Sequence, residues 1–185
     1  MCSLLLVYAA SAARVAVVVK FPDQTQTRCV TAPQGTDAYR ILEDLDFNAA
    51  WSYYGQSLGH GLCGISGTGC PSTNCYCNSN EYWNFYTKQG SDPASTYSQV
   101  GFDGGSSCNE HYCAVDGGMI GLGFGAYGTE PGSYQFNEVC CAMPGDEFPC
   151  GTVTLAEVID YINEWGFGNA ELGDVIDLID AWMRA

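Results

Sequence analysis

Ten cysteines lie downstream of residue 28: Cys29, Cys63, Cys70, Cys75, Cys77, Cys108, Cys113, Cys140, Cys141 and Cys150. Cys2 alone stands outside that set, in an apolar N-terminal stretch. Thiols can hold a metal, attack a substrate or oxidise to disulfides. An even number at this density, with only His60 and His111 as imidazoles, points to disulfides formed in an oxidising compartment. A zinc site at Cys70, Cys75 and Cys77 is disfavoured, because Cys75-x-Cys77 sends its side chains to opposite faces of a strand and neither histidine stands beside them. Cys140 and Cys141 are adjacent and cannot easily bond each other, so two separate bridges should radiate from their segment. If Cys2 is retained, one thiol is left over for a bond between subunits.

No other residue set has the spacing of a catalytic device. Gly64-Ile65-Ser66-Gly67 is not a nucleophile elbow, and Gly121-Leu122-Gly123-Phe124-Gly125 lies in a strand pattern with no helix after it. A Cys–His nucleophile needs a reduced thiol. The carboxylate pairs Glu43/Asp44 and Asp146/Glu147 are neighbours in exposed contexts and read as solvated faces. The expectation is a non-enzyme with no cofactor and no metal. Aromatic side chains are the better candidates for binding. Trp51, Tyr53, Tyr54, Tyr82, Trp83 and Tyr86 could floor a planar ligand such as a corrin or a sugar ring. On a strand, Tyr82, Asn84 and Tyr86 share one face and Trp83 and Phe85 the other, so one of the two faces is expected to be core.

Net charge is −15, from 21 acidic and only six basic residues. Between Arg40 and Arg184 the only basic side chain is Lys88. Such a surface repels phosphate backbones and anionic lipid heads, which argues against nucleic-acid and membrane-surface binding. The run Leu4-Leu5-Leu6-Val7-Tyr8, followed by Ala10-Ser11-Ala12, resembles the apolar core and cleavage site of a signal peptide, although no Lys or Arg precedes it. It is far shorter than the roughly 20 residues that span a bilayer. Residues 1–13 are therefore expected to be a signal peptide or a retained apolar segment, and the chain extracellular or cell-surface.

The elements that must position these residues come in two kinds. From residue 14 to about 127 the chain is rich in Gly, Tyr, Trp, Cys and β-branched residues; from 151 onward it has no Cys and turns helical, and a Pro/Gly/Cys-rich strap at 128–150 joins the two. Val15-Ala16-Val17-Val18-Val19-Lys20-Phe21 reads as a strand, Pro22-Asp23-Gln24 as a turn, and Thr25–Ala32 as the returning strand of a hairpin. A helix beginning at Thr36 would place Ala38, Ile41, Leu42 and Leu45 across that hairpin. Further strands are expected at Gly64–Ser66, Tyr82–Thr87 and Ala114–Phe124. The expected class is α+β: a disulfide-rich, β-grasp-like domain followed by a short helical hairpin.

The order Val17-Val18-Val19-Lys20-Phe21, Thr27-Arg28-Cys29-Val30, Gly35-Thr36-Asp37-Ala38-Tyr39, Leu62-Cys63-Gly64-Ile65-Ser66-Gly67, Tyr82-Trp83-Asn84-Phe85-Tyr86 and Asp116-Gly117-Gly118-Met119-Ile120 resembles the transcobalamin-C-terminal-like family of secreted β-grasp domains. Within it the chain is similar to a Cys-rich branch of bacterial and archaeal exported proteins, whose Gly-x-Gly-Cys-Pro turn corresponds to Gly67-Thr68-Gly69-Cys70-Pro71. The resemblance covers about residues 14–127. It implies a β-grasp fold and a corrinoid as one class of ligand.

Leu155-Ala156-Glu157-Val158-Ile159-Asp160-Tyr161-Ile162-Asn163-Glu164-Trp165 recurs seventeen residues later as Leu172-Gly173-Asp174-Val175-Ile176-Asp177-Leu178-Ile179-Asp180-Ala181-Trp182. These are two amphipathic helices, with Thr154 and Glu157 as a capping box, Gly166 and Gly168 as terminators and Asn169 as a cap for the second. One stripe is Leu155, Val158, Ile159, Ile162 and Trp165; the other is Leu172, Val175, Ile176, Ile179 and Trp182. The pair is similar to twin-helix tails of archaeal secreted proteins and, more loosely, to dockerin modules, but no calcium loop precedes either helix. Helices this short must bury their stripes on each other and on something else. Leu155, Ile159, Trp165, Leu172, Ile176 and Trp182 are the candidate interaction residues. The leading expectation is a self-associating structural subunit, or one held by a cell-surface protein partner, with sheet edges or the helices as joining elements. The alternative is a secreted binding module for a corrinoid or other planar molecule.

Overall fold

The computed structural model describes residues 12–88, 100–141, 145, 150 and 153–184. Cys2, the apolar run at 4–8 and the Asp146/Glu147 pair lie outside the described residues. The fold is α+β. A hairpin of β1 (Ala12–Lys20) and β2 (Thr25–Pro33) forms as the β-branched run and the Pro22-Asp23 turn dictate, in register from Ala12–Pro33 to Lys20–Thr25. The turn closes with the Phe21 N–H donating to the Gln24 carbonyl at 2.8 Å.

Four strands make the larger sheet, in the order β2-β1-β7-β6, where β6 spans Tyr82–Lys88 and β7 Gly118–Gly125. β7 runs parallel to β1 and antiparallel to β6. Val15, Val17 and Val19 face the main core with Ile120, Leu122, Trp83 and Phe85. Ala16 and Val18 face a second cluster with Met119, Val139 and Cys140. β1 is thus covered on both sides, which is why it reads as an unbroken apolar run rather than an alternating one.

Helix α1 (Ala38–Glu43) seals the main core with Ala38, Ile41 and Leu42. It begins two residues later than the expected Thr36. The Asp37 carboxylate accepts the Arg40 N–H at 2.9 Å and so takes the cap, while the Thr36 hydroxyl donates to the Pro33 carbonyl. Leu45 lies beyond the helix yet still packs against the core. β7 likewise starts at Gly118 rather than Ala114, because Val115–Gly118 closes a turn with Gly117 at φ 81°.

A smaller sheet is made of β3 (Ala49–Tyr53), β4 (His60–Ile65) and β5 (Thr68–Gly69). The strand expected at Gly64–Ser66 is the end of β4. Ser66 falls in the turn to β5 at φ 48°, and its hydroxyl donates to the Phe47 carbonyl. On the other side of the larger sheet lies the short helix α2 (Phe136–Val139), whose Val139 enters the second cluster.

Five disulfides join all ten of the cysteines downstream of residue 28: Cys29–Cys140, Cys63–Cys75, Cys70–Cys77, Cys108–Cys113 and Cys141–Cys150. Cys140 and Cys141 do form separate bridges. Only Cys140 leaves the strap, tying it to β2 across 111 residues, whereas Cys141 closes within the strap. Helices α3 (Leu155–Gly166) and α4 (Leu172–Arg184) pack on each other around Val158, Leu178 and Val153, a cluster separate from both sheet clusters. Thr154 and Glu157 form the expected capping box. Asn169 does not cap α4; its side chain donates to Glu164 at 3.0 Å, on α3. Among the described residues no helix is long and apolar enough to cross a membrane.

Candidate functional site

The six aromatic side chains singled out for ligand binding do not come together as one floor. On β6, Trp83 is buried in the main core, edge-on to Phe21 at 5.3 Å, and its Nε1–H donates to the Thr68 carbonyl at 3.1 Å. Tyr86, on the opposite face of β6, is buried too, and burial pushes its hydroxyl pKa up. Trp83 and Phe85 make one face of β6 core as expected, and the other face is covered as well: Asn84, beside Tyr86, is buried, donating to the Gly123 and Ala126 carbonyls and accepting from the Gly128 N–H. The segment after β7 folds back over that face and gives the amide a full set of partners.

On β3, Trp51 packs edge-on between Tyr39 and Phe102, each about 5.1 Å away, and leans on the main core. Its Nε1 is buried without a hydrogen-bond partner. Tyr53 is 60% exposed, Tyr54 leans on Tyr76 at 6.2 Å, and Tyr82 sits at the surface. Tyr53, Tyr54 and Tyr82 therefore remain open, while Trp51, Trp83 and Tyr86 serve packing.

The structure adds a cluster that the spacing did not reveal. His60 Nδ1 lies 2.6 Å from Asp103 Oδ2, and the other oxygen of that carboxylate accepts the His60 backbone N–H at 2.7 Å. Tyr39 stacks flat on the imidazole, with centroids 3.8 Å apart and planes 5° from parallel, and Tyr53 leans on it at 4.9 Å. The Tyr39 hydroxyl donates to Glu43 at 2.7 Å, and that bond to a carboxylate, more than burial, raises its pKa. Gly59 makes the approach workable: at φ 69° it carries no side chain where a Cβ would collide with Asp103 Oδ1 and Gly104 N.

His111 is anchored nearby in the chain, its Nδ1 2.8 Å from the Gly104 carbonyl. An imidazole held by a carboxylate is oriented as a general base requires. Chemistry would also need a nucleophile, and among the described residues nothing bonds the second nitrogen of His60. With tyrosines packed on its ring, the pair acts as a latch between β4 and the 101–113 loop. No group of three or more metal-ligating side chains converges among the described residues.

The second candidate region is the helix pair. Val158 and Val175 turn inward, together with Leu178, which the expected stripes did not include. The six candidate interaction residues, Leu155, Ile159, Trp165, Leu172, Ile176 and Trp182, are instead between 39% and 52% exposed. Phe167 and Met183 are exposed beside them in sequence. Exposed apolar residues that gather into one large patch mark interaction surfaces. Compared with known proteins, the chain matches no family model and none of the curated proteins.

Proposed function

We propose that this chain is a non-catalytic structural subunit of the cell exterior: a disulfide-stapled β-grasp body that joins an assembly through a C-terminal helical hairpin. The β-grasp reading is supported by the hairpin of β1 and β2, the helix α1 on one face and β7 returning parallel to β1. The hairpin reading is supported by the five residues that separate α3 from α4 and by the apolar cluster they share. The exterior location is supported by five disulfides.

The observation that carries the proposal is the exposed apolar side of α3 and α4, beside a body whose own apolar residues are largely enclosed. Isolated under non-reducing conditions from its native source and cross-linked, the wild-type chain should run as species larger than one chain. The double variant Ile159→Ser/Ile176→Ser should run as a single chain. A wild-type chain that is monomeric throughout would overturn the proposal. A corrinoid or other planar ligand is the less supported reading, since three of the six rings proposed for it pack within the body.

A further inference from the structure

Residues 47–80 include no Asp, Glu, Lys or Arg, in a chain whose net charge is −15. They fold into the smaller sheet and the segment 71–80 that follows it. Two disulfides pin that segment, Cys63–Cys75 to β4 and Cys70–Cys77 to the residue after β5, and the Ser52 hydroxyl on β3 donates to the Ser72 carbonyl at 2.6 Å. Tyr54 and Tyr76 meet on this support, with ring centroids 6.2 Å apart and planes inclined at 49°. Tyr54 is 38% exposed and Tyr76 79%. Tyr54 lies against β4 because residue 61 is glycine: a Cβ there would stand 2.7 Å from the ring. Tyr53 and His60 fall on the opposite face, since successive residues of a strand alternate. A hollow of about 360 Å³ also opens on the smaller sheet, with Asn48, Ala50, Gly64, Thr68, Gly69 and Pro71 in its wall. That volume falls within the range of small-molecule pockets. Pro71 at the hollow and Tyr76 in the pair are five residues apart, so at most about 18 Å separates them.

The absence of charge selects the ligand. An anion would find no cation in this stretch and would be repelled by the rest of the chain, and a cation would find no carboxylate. Burial first, and then the Tyr76 hydroxyl, push the Tyr54 pKa up with no carboxylate contributing, whereas carboxylates do contribute at Tyr39, Tyr86 and Tyr161. Open tyrosine rings offer flat area with little side-chain entropy to lose, and each keeps a hydroxyl at its rim. Thr73 and Asn74, exposed close by in sequence, add uncharged donors and acceptors. A pyranose matches this chemistry: the C–H groups of one face stack on an aromatic ring, and neutral hydroxyls around the edge take the hydrogen bonds. We infer that the Tyr54–Tyr76 face binds a neutral saccharide, with the rings as its platform and the hollow within reach of the same sugar chain. The disulfides hold the platform in place before the ligand arrives, which lowers the entropic cost of binding. This site lies outside α3 and α4 and does not depend on the joining role proposed for them.

The test uses the full-length oxidised chain and neutral hexasaccharides of glucose, mannose, galactose and N-acetylglucosamine, with a uronic-acid hexasaccharide as the anionic control. Binding is read by titration calorimetry. At least one neutral hexasaccharide should bind at least tenfold more tightly than the uronic-acid chain, and its affinity should stay within about twofold between low salt and 1 M salt. Tyr54→Ala/Tyr76→Ala should weaken that binding at least tenfold with the melting temperature unchanged. Tyr76→Ala alone removes a ring too exposed to matter for folding and should weaken it severalfold, so the test does not rest on the double variant. Gly61→Ala, which pushes the Tyr54 ring off β4, should also weaken it severalfold. Tyr127→Ala, at an equally exposed ring elsewhere in the chain, should leave it unchanged.

No binding of any neutral hexasaccharide would overturn the inference. So would equal or tighter binding of the uronic-acid chain, or binding that survives Tyr54→Ala/Tyr76→Ala undiminished. Binding lost in Ile159→Ser/Ile176→Ser but kept in the tyrosine variants would place the ligand on the helix pair and overturn it as well. A protein captured through Tyr54 and Tyr76 in place of every saccharide would overturn it in favour of a protein partner.

Discussion

The sheet body and the helix pair solve the same problem of burying apolar surface in opposite ways. In the body, β1 is packed on both faces, the helix caps are satisfied and every cysteine downstream of residue 28 is bridged. The helix pair contains no cysteine, encloses only Val153, Val158, Val175 and Leu178, and leaves most of its large apolar residues in water. Each helix is about as short as an isolated helix can be and still be marginal. Among the described residues the body encloses its apolar side chains more fully than the helix pair does, so the proposed docking would make its largest difference in the pair.

The contrast breaks most visibly if the body's staple is cut. Cys29→Ser/Cys140→Ser reopens a loop of 111 residues and should cost about 4–5 kcal/mol on the chain-entropy estimate. Thermal unfolding followed in the near ultraviolet should show a large drop in the body's melting temperature; no drop would mean the strap stays docked through Val139 and Phe136 alone. On the helical side, Leu178→Ala should cost about 2–4 kcal/mol, since Leu178 is fully buried. That loss should stay local. Helical circular dichroism falls while the body's transition holds, and a body that melts earlier would show the two regions to be coupled.

A smaller effect is expected at the His60 latch. Asp103→Ala removes both bonds to His60 and should cost about 2 kcal/mol, with faster hydrogen exchange across the 101–113 loop. Unchanged exchange would mean that the Cys108–Cys113 bridge holds the loop unaided.

The smallest effect is electrostatic. Glu110 accepts the Ser106 N–H at 2.8 Å and the Ser107 hydroxyl at 3.2 Å, and these bonds hold its carboxyl below the ordinary value of 4.5. A depressed carboxyl stabilises the folded state above the unfolded value, and that contribution fades as pH falls through the folded one. Carbon NMR titration should therefore give a midpoint below 4.5, and a midpoint at or above it would show the loop bonds to be absent in solution.

What could be read along the chain follows how local each cause is. The β1–β2 hairpin was legible because Val15–Val19 and Pro22-Asp23 act on their own neighbours. The helices were legible because Thr154, Glu157 and the apolar period act within a few residues. Helix α1 was read two residues early, since Thr36 and Asp37 both suit a cap and only the bond to Arg40 decides between them. β3 went unread because its aromatic residues looked like a binding surface, and β5 because two residues carry no pattern.

The candidate ligand floor divided for a related reason. Composition shows that aromatic rings are present, but whether Trp51 and Trp83 face solvent or core depends on strands and loops far away in sequence. Nothing in the spacing marked His60 and Asp103, 43 residues apart, as partners. The glycines around them, Gly59 and Gly104, were the only trace.

By itself the sequence determined the parity of the cysteines, the acidic charge, the hairpin at its start and the amphipathic repeat at its end. These rest on composition or on residues within a turn of one another, where the backbone geometry alone sets who meets whom. Tertiary structure alone decided that β7 runs beside β1, that Cys140 reaches Cys29 while Cys141 reaches Cys150, and which half of each helix's apolar arc turns inward. Such contacts form only when long stretches of chain are closed at an entropic cost. The closure that wins is the one with the best joint packing, and no short stretch of residues encodes that.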